Sequence, residues 1–190
     1  YFHAFTGCDV VSFFARHGER SAWQTWEAYP EATHVFQRLS LNPTNISDDD
    51  MAILERFVVL LYDRMCEQDS VNEARHYLFS KKSREMEHIP PSKAALLEHC
   101  KRAAFQAGFI WGQSLIAEPE IPSPGEWGWE ASDDKWVVLW TKLPEASKSC
   151  SELVCCKCQK ACRGNCKCYR VNLKCTSLCA CYGQCYQKRV

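Results

Sequence analysis

No stretch of this 190-residue chain approaches the roughly 20 consecutive apolar residues of a membrane-spanning helix; the longest run is Phe57-Val58-Val59-Leu60-Leu61-Tyr62. A helical membrane span is therefore not expected. The sequence also lacks an initiator Met and a charged leader followed by an apolar stretch, and it opens mid-pattern at Tyr1-Phe2-His3-Ala4-Phe5, as expected for a piece of something longer. Net charge is absent too, 23 Lys+Arg offsetting 23 Asp+Glu. That balance hides two opposite halves. Residues 150–190 carry eight basic side chains against one acid, a local charge of +7, so residues 1–149 hold −7. The length leaves room for one full domain or two or three small ones, which excludes a large multi-domain enzyme. Eleven of the fourteen cysteines fall between Cys150 and Cys185, a density that no ordinary core requires.

Punctuation and periodicity predict a mainly α chain made of small helical units, a short aromatic β-hairpin and an irregular cysteine-rich end. In residues 1–41, a turn at Thr6-Gly7-Cys8-Asp9 precedes the apolar Val10–Phe14 stretch. With Asp9 and Ser21 as N-caps and Gly18 in the connector, this reads as helix, loop, helix, with Pro30 ending the second and a third over Glu31 to Leu39. Residues 47–116 read as a helical unit. Ser47-Asp48-Asp49-Asp50 caps a helix whose buried face is Leu54, Phe57, Val58, Leu61, Tyr62 and Met65; Ser70 with Glu73 starts a short one; and Ser92 starts another that carries Leu96, Cys100, Ala104, Ile110, Trp111 and Leu115. Prolines 119, 122 and 124 then extend the chain. Across 122–148, Trp127, Trp129, Trp136 and Trp140 flank Asp133-Asp134 in the manner of two short strands joined by an acidic turn, and four Trp so close together are expected to bury. A structural hairpin is the plainer reading, a base-stacking platform the alternative.

Residues 150–190 contain the densest chemistry. From Cys156 the spacing is C-x-C (Cys156, Cys158), Cys162, C-x-C (Cys166, Cys168), Cys175, C-x-C (Cys179, Cys181) and Cys185. Nine thiolates suit about three tetrahedral zinc ions if three sulfurs bridge, each ion then seeing two terminal and two shared ligands. A disulfide scaffold of a secreted miniprotein is the alternative. Crowded C-x-C pairs, which reach separate partners poorly, and the placement of Cys8, Cys66 and Cys100 in ordinary helical segments favour zinc and a reducing compartment. Cys150 and Cys155 lie outside the pattern.

The Cys156–Cys185 spacing resembles tesmin-type CXC domains and the nine-cysteine clusters beside histone methyltransferase domains. The resemblance implies a three-zinc cluster and, because several members of that family bind DNA, a nucleic-acid-binding role; the expected location is the nucleus or another reducing intracellular compartment. In that family a Tyr precedes the middle C-x-C; here the position is Asn165, while Tyr169 follows the pair, with Lys160, Arg163, Lys167, Arg170 and Lys174 as phosphate-binding candidates. Gly7-Cys8-Asp9, Ser12, Gly18, Arg20 and Ala22 in turn resemble the glycine–acid and helix–turn–helix region of flap-endonuclease-type (PIN-like) nucleases. That likeness implies Asp9 as a remnant of a catalytic metal site, with Gly18 and Arg20 touching duplex phosphates and magnesium serving the full-length parent; Arg16 stands where the family has its first loop glycine. A two-metal reaction needs several converging carboxylates, so this chain by itself is not expected to cleave. The order of parts, including Ile89-Pro90-Pro91-Ser92-Lys93 and Leu139-Trp140-Thr141-Lys142-Leu143-Pro144, is similar to a widespread group of animal proteins tied to mobile elements, which lends an architecture rather than an activity.

The six histidines are dispersed, and His99, beside Cys100, reads as a core-edge or surface residue. Lys81-Lys82-Ser83-Arg84 reads as a solvated helix end. The function expected from these parts is zinc-dependent binding of nucleic acid, preferably duplex DNA, by residues 150–190. The alternatives are the end of a metal-dependent structure-specific nuclease, or a zinc-folded module that meets a protein partner through the Trp hairpin.

Overall fold

The computed structural model describes residues 1–8, 10–80, 86–143, 156–158, 162, 166–170, 175 and 179–181. It divides into two units, Tyr1–Lys142 and Leu143–Val190. The chain is mainly helical, with one two-stranded antiparallel hairpin and a C-terminal cysteine cluster. No helix among the described residues is long and apolar enough to cross a membrane.

Helix α4 (Asp48–Tyr62) organises the first unit. Its start is specified locally: Ser47 Oγ accepts from the Asp50 backbone N–H at 3.2 Å and the Asp50 carboxylate accepts from the Ser47 N–H at 2.8 Å, a reciprocal capping box. Burial works against the Asp50 carboxylate, but hydrogen bonds from Ser47 and the Arg38 guanidinium outweigh it and hold its pKa below the usual range. From that cap, Leu54, Phe57, Val58 and Leu61 fall on a buried face. Met65 does not, being 86% exposed, because the helix ends at Tyr62 and the period no longer applies.

The other helices surround α4: α1 (Phe2–Thr6), α2 (Glu19–Ala28), α3 (Ala32–Leu41), α5 (Val71–Ser80) and α6 (Lys93–Ala104). Helix α2 stops one residue short of Tyr29-Pro30, since Pro cannot supply the next backbone donor. Phe5 of α1, Phe36 of α3 and Phe57 of α4 meet with ring centroids 5.5–5.9 Å apart, so residues 1–41 and 47–116 share one apolar core. Cys66 and Cys100 are buried in it, and burial raises the Cys100 thiol to about 12, so it behaves as an apolar group.

Three local expectations are corrected. Val10–Phe14 is not helical. The segment lies between Gly7 at φ 115°, where an added Cβ would meet the Phe13 Cβ at 2.5 Å, and Arg16 at φ 64°, backbone conformations that a continuous helix does not take. Arg16 thus takes a left-handed conformation that a glycine would adopt freely. Ser21 lies inside α2, whose N-cap is Gly18. Finally, α6 does not run on to Leu115. It passes at Phe105 into a wider π-helical turn ending at Trp111, and Leu115 is 99% exposed.

The hairpin pairs β1 (Trp129–Ser132) with β2 (Lys135–Val138) in the register Trp129 to Val138 and Ser132 to Lys135. Asp133 and Asp134 both adopt positive φ, 46° and 61°, as a two-residue turn matched to strand twist requires. Only half of the expected tryptophan burial occurs. Trp127 and Trp129 pack on Phe105 and Phe109 of the π-helical turn, at 5.0–6.1 Å between centroids, whereas Trp136 and Trp140 are exposed. Lys81-Lys82-Ser83-Arg84 lies outside the described residues.

Candidate metal centre

Among the described residues, the second unit brings eight cysteines together. Cys156, Cys162, Cys166, Cys168 and Cys179 are buried, with Cys158, Cys175 and Cys181 partly buried against them. Short-range geometry brings distant C-x-C steps together: the Ala180 N–H donates to the Cys156 carbonyl at 2.9 Å, and the Cys156 N–H donates to Cys179 Sγ at 3.4 Å. Between them, residues 166–170 form the short helix α7 (Lys167–Arg170), closed by the Arg170 N–H on the Cys166 carbonyl at 3.0 Å. One turn of helix turns Cys166 and Cys168 inward. Lys167, Tyr169 and Arg170 are left exposed.

The sulfur separations test whether these thiols suit a metal. Four sulfurs arranged tetrahedrally at about 2.3 Å from a common centre lie about 3.8 Å from one another. Cys156 Sγ stands 3.7 Å from Cys162 Sγ, 3.9 Å from Cys175 Sγ and 3.8 Å from Cys181 Sγ, and Cys162 and Cys175 are 3.7 Å apart. A disulfide would hold its sulfurs about 2.05 Å apart. The cluster therefore fits a divalent thiophilic ion such as zinc. Three overlapping sets of four sulfurs, each within 4.8 Å, satisfy the same condition: Cys156-Cys158-Cys162-Cys166, Cys156-Cys166-Cys168-Cys175 and Cys156-Cys162-Cys175-Cys181.

No family model matches this chain, and no curated protein or solved structure matches it significantly. The site is thus characterised by its own chemistry.

That chemistry is one of crowded acids. A hydrogen bond from the Tyr169 backbone amide leads the effects that pull the Cys166 thiol down to about 6. The Cys158 backbone amide also favours the Cys156 thiolate, but burial and the bonds shared with Cys166 and Cys181 push Cys156 up to about 12. Burial and the neighbouring Cys179 raise Cys168. Thiols packed this closely cannot all ionise together without a cation between them. A bound divalent ion removes that conflict, because coordination deprotonates the thiol outright.

Of the expected site residues, Cys156, Cys158, Cys162, Cys166, Cys168, Cys175, Cys179 and Cys181 lie together in this unit, with Lys167, Tyr169 and Arg170 beside them. Cys185, Lys160, Arg163, Lys174 and Asp9 lie outside the described residues, as do Cys150 and Cys155. In the first unit, Gly18 is extended (φ −90°, ψ 176°) and accepts from the Ser21 and Ala22 amides; Arg20 is exposed on the first turn of α2.

Sequence reasoning missed a second polar constellation. His99 is buried rather than at the core edge: its Nε2 donates to the Phe5 carbonyl at 2.7 Å, which leaves Nδ1 to accept from Ser12 Oγ at 2.7 Å. Arg102 Nη2 donates to the same hydroxyl at 3.0 Å. Ser12 and His99 are 87 residues apart, and no local spacing announces the contact.

Proposed function

We propose that residues 150–190 form a zinc-folded module that holds about three ions and binds duplex DNA through a cationic surface, in a reducing compartment such as the nucleus. The observation that carries this reading is the overlap of the three sulfur sets: Cys156 belongs to all three, and Cys162, Cys166 and Cys175 to two each. Shared thiolates are what a compact multi-ion cluster needs, since nine sulfurs supply twelve ligand positions only if some bridge. Nine thiolates and three divalent ions leave a residual charge of about −3. The side chains of residues 150–190 contribute +7, so the loaded module stays positive. Helix α7 supports the second half of the reading, because it carries Lys167, Tyr169 and Arg170 outward directly from the cysteine cluster. Cations on a surface stiffened from behind are suited to phosphates, and an exposed tyrosine adds a face for sugar or base contact.

Metal analysis and DNA titration of the full chain test both halves. About three zinc per chain and cooperative loss of structure on chelation are expected. Affinity for a labelled duplex should fall steeply with salt, and Lys167→Glu with Arg170→Glu should weaken it and flatten the salt slope. A zinc-loaded chain that ignores duplex DNA, or binds it without salt dependence, refutes the DNA half. A second reading, contact with a protein partner, is favoured by the exposed Trp136 and Trp140 of the hairpin.

A further inference from the structure

The first unit holds a buried cation whose hydrogen-bond acceptors among the described residues are all neutral. Arg102 on α6 is 1% exposed. Its Nη1 donates to the carbonyls of Gly128 at 2.9 Å and Leu139 at 2.8 Å, its Nη2 donates to Ser12 Oγ, and its Nε has no hydrogen-bond partner among the described residues. Every one of these acceptors is neutral. Glu98, one turn earlier, attracts it electrostatically but is engaged by Lys101 Nζ at 3.0 Å and Lys142 Nζ at 3.9 Å, so the neighbourhood keeps a positive surplus. Buried charges are ordinarily paired, and a guanidinium held only by neutral oxygens has capacity for an oxyanion.

A cleft of about 230 Å³ is lined by Arg102 together with Ser12, Phe13, Arg75, His99 and Trp140. No carboxylate among the described residues lines it, and Arg75 adds a second guanidinium. The remaining walls are apolar, with aromatic rings on one part and Ile89, Pro90 and Pro91 on another. Phe13 is 75% exposed and Trp140 64% exposed, and Arg102 Cζ lies 5.9 Å from the Trp140 ring centroid, which holds the indole as a flat surface next to the charge. The volume is below the roughly 300–1,000 Å³ of sites that take drug-sized molecules, which limits the occupant to a compact one. Large exposed aromatics at a cationic cleft are not explained by the core, because Phe5 and Phe57 already fill it.

We propose that this cleft binds a compact aromatic acid, with its single carboxylate answering Arg102 and Arg75 and its ring lying against Phe13 and Trp140. The site is independent of the cysteine cluster. Ser12 is placed to assist: its hydroxyl gives its proton to His99 Nδ1 and accepts from Arg102, and rotating it toward a ligand frees one guanidinium N–H for the carboxylate.

The test uses the full chain and 2-naphthoate, with neutral 2-naphthamide and ring-less acetate as controls, followed by calorimetry or ligand-observed NMR. Naphthoate is expected to bind with a Kd below about 1 mM and at least about tenfold more tightly than either control. Arg75→Gln should weaken naphthoate about tenfold and leave the amide unchanged, because Arg75 supplies charge and no ring contact. Trp140→Ala, at a position 64% exposed, should weaken acid and amide alike. Equal binding of acid and amide, no naphthoate binding at about 10 mM, or an undiminished affinity in a folded Arg75→Gln protein would each overturn the proposal. Should Arg75→Gln fail to fold, the acid–amide comparison on the unmodified chain and the Trp140→Ala measurement decide it.

Discussion

Lowering the pH from neutral toward 4 should loosen the helical unit through one buried imidazole. His99 is 5% exposed, and burial, with the Arg102 charge beside it, lowers its pKa from 6.5 to about 4 despite the opposing bond to the Phe5 carbonyl. The folded chain therefore keeps His99 neutral at pH values where the unfolded chain protonates it. Stability from this group is fully present above about pH 6.5, declines by up to about 1.4 kcal/mol per pH unit below that, and stops declining near the folded pKa. A lowering from 6.5 to about 4 corresponds to about 3 kcal/mol, a large part of the roughly 5–15 kcal/mol that holds a typical domain folded. All seven tryptophans lie within residues 1–142, so their fluorescence reports this unit and not the cysteine cluster. Urea titrations from pH 7.5 to 4.5 should show the unfolding midpoint falling steadily below pH 6.5. In His99→Asn, which cannot take up the proton, the starting stability is lower but the fall is shallower. Parallel curves for the two proteins across this range would refute the assignment of His99 as a buried neutral base.

Two other substitutions probe the scaffold and the cluster. Gly128→Ala should cost about 2 kcal/mol or more, read as a lower urea midpoint, because Gly128 sits at φ 85° and an added Cβ would come within 2.5 Å of the Glu98 carbonyl oxygen. Cys156→Ser should remove more than one zinc per chain, whereas Cys158→Ser should remove at most one, since Cys156 belongs to three sulfur sets and Cys158 to one. Native mass spectrometry distinguishes these outcomes, and equal losses would contradict the shared-ligand arrangement.

Much of the first unit was legible because its signals are local. Ser47-Asp48-Asp49-Asp50 announces the start of α4, the three- and four-residue recurrence from Leu54 to Leu61 announces its buried face, and Asp133-Asp134 announces the hairpin turn. Errors arose where a local rule met a tertiary constraint. Val10–Phe14 was expected as helix from its flanking cap and turn signals, yet Gly7 and Arg16 bend the chain on either side, Val11 and Phe14 bury, and Phe13 is turned to solvent. The Trp cluster was expected to bury as a group, but only Trp127 and Trp129 reach Phe105 and Phe109; Trp136 shares the hairpin face of Trp129, toward the open end beside the turn, and stays exposed.

The cysteine spacing alone determined that a thiol-rich metal centre was the chemistry to look for, because three C-x-C steps in so short a segment constrain the sulfurs whatever the rest of the chain does. Which thiols share a neighbourhood, with Cys156 in all three sets, is a property of the folded segment. The convergence of Ser12, His99 and Arg102 is likewise a property of the fold. Helix packing brings residues from distant positions into one low-dielectric site, where hydrogen bonds and charge, which no local spacing encodes, set their properties.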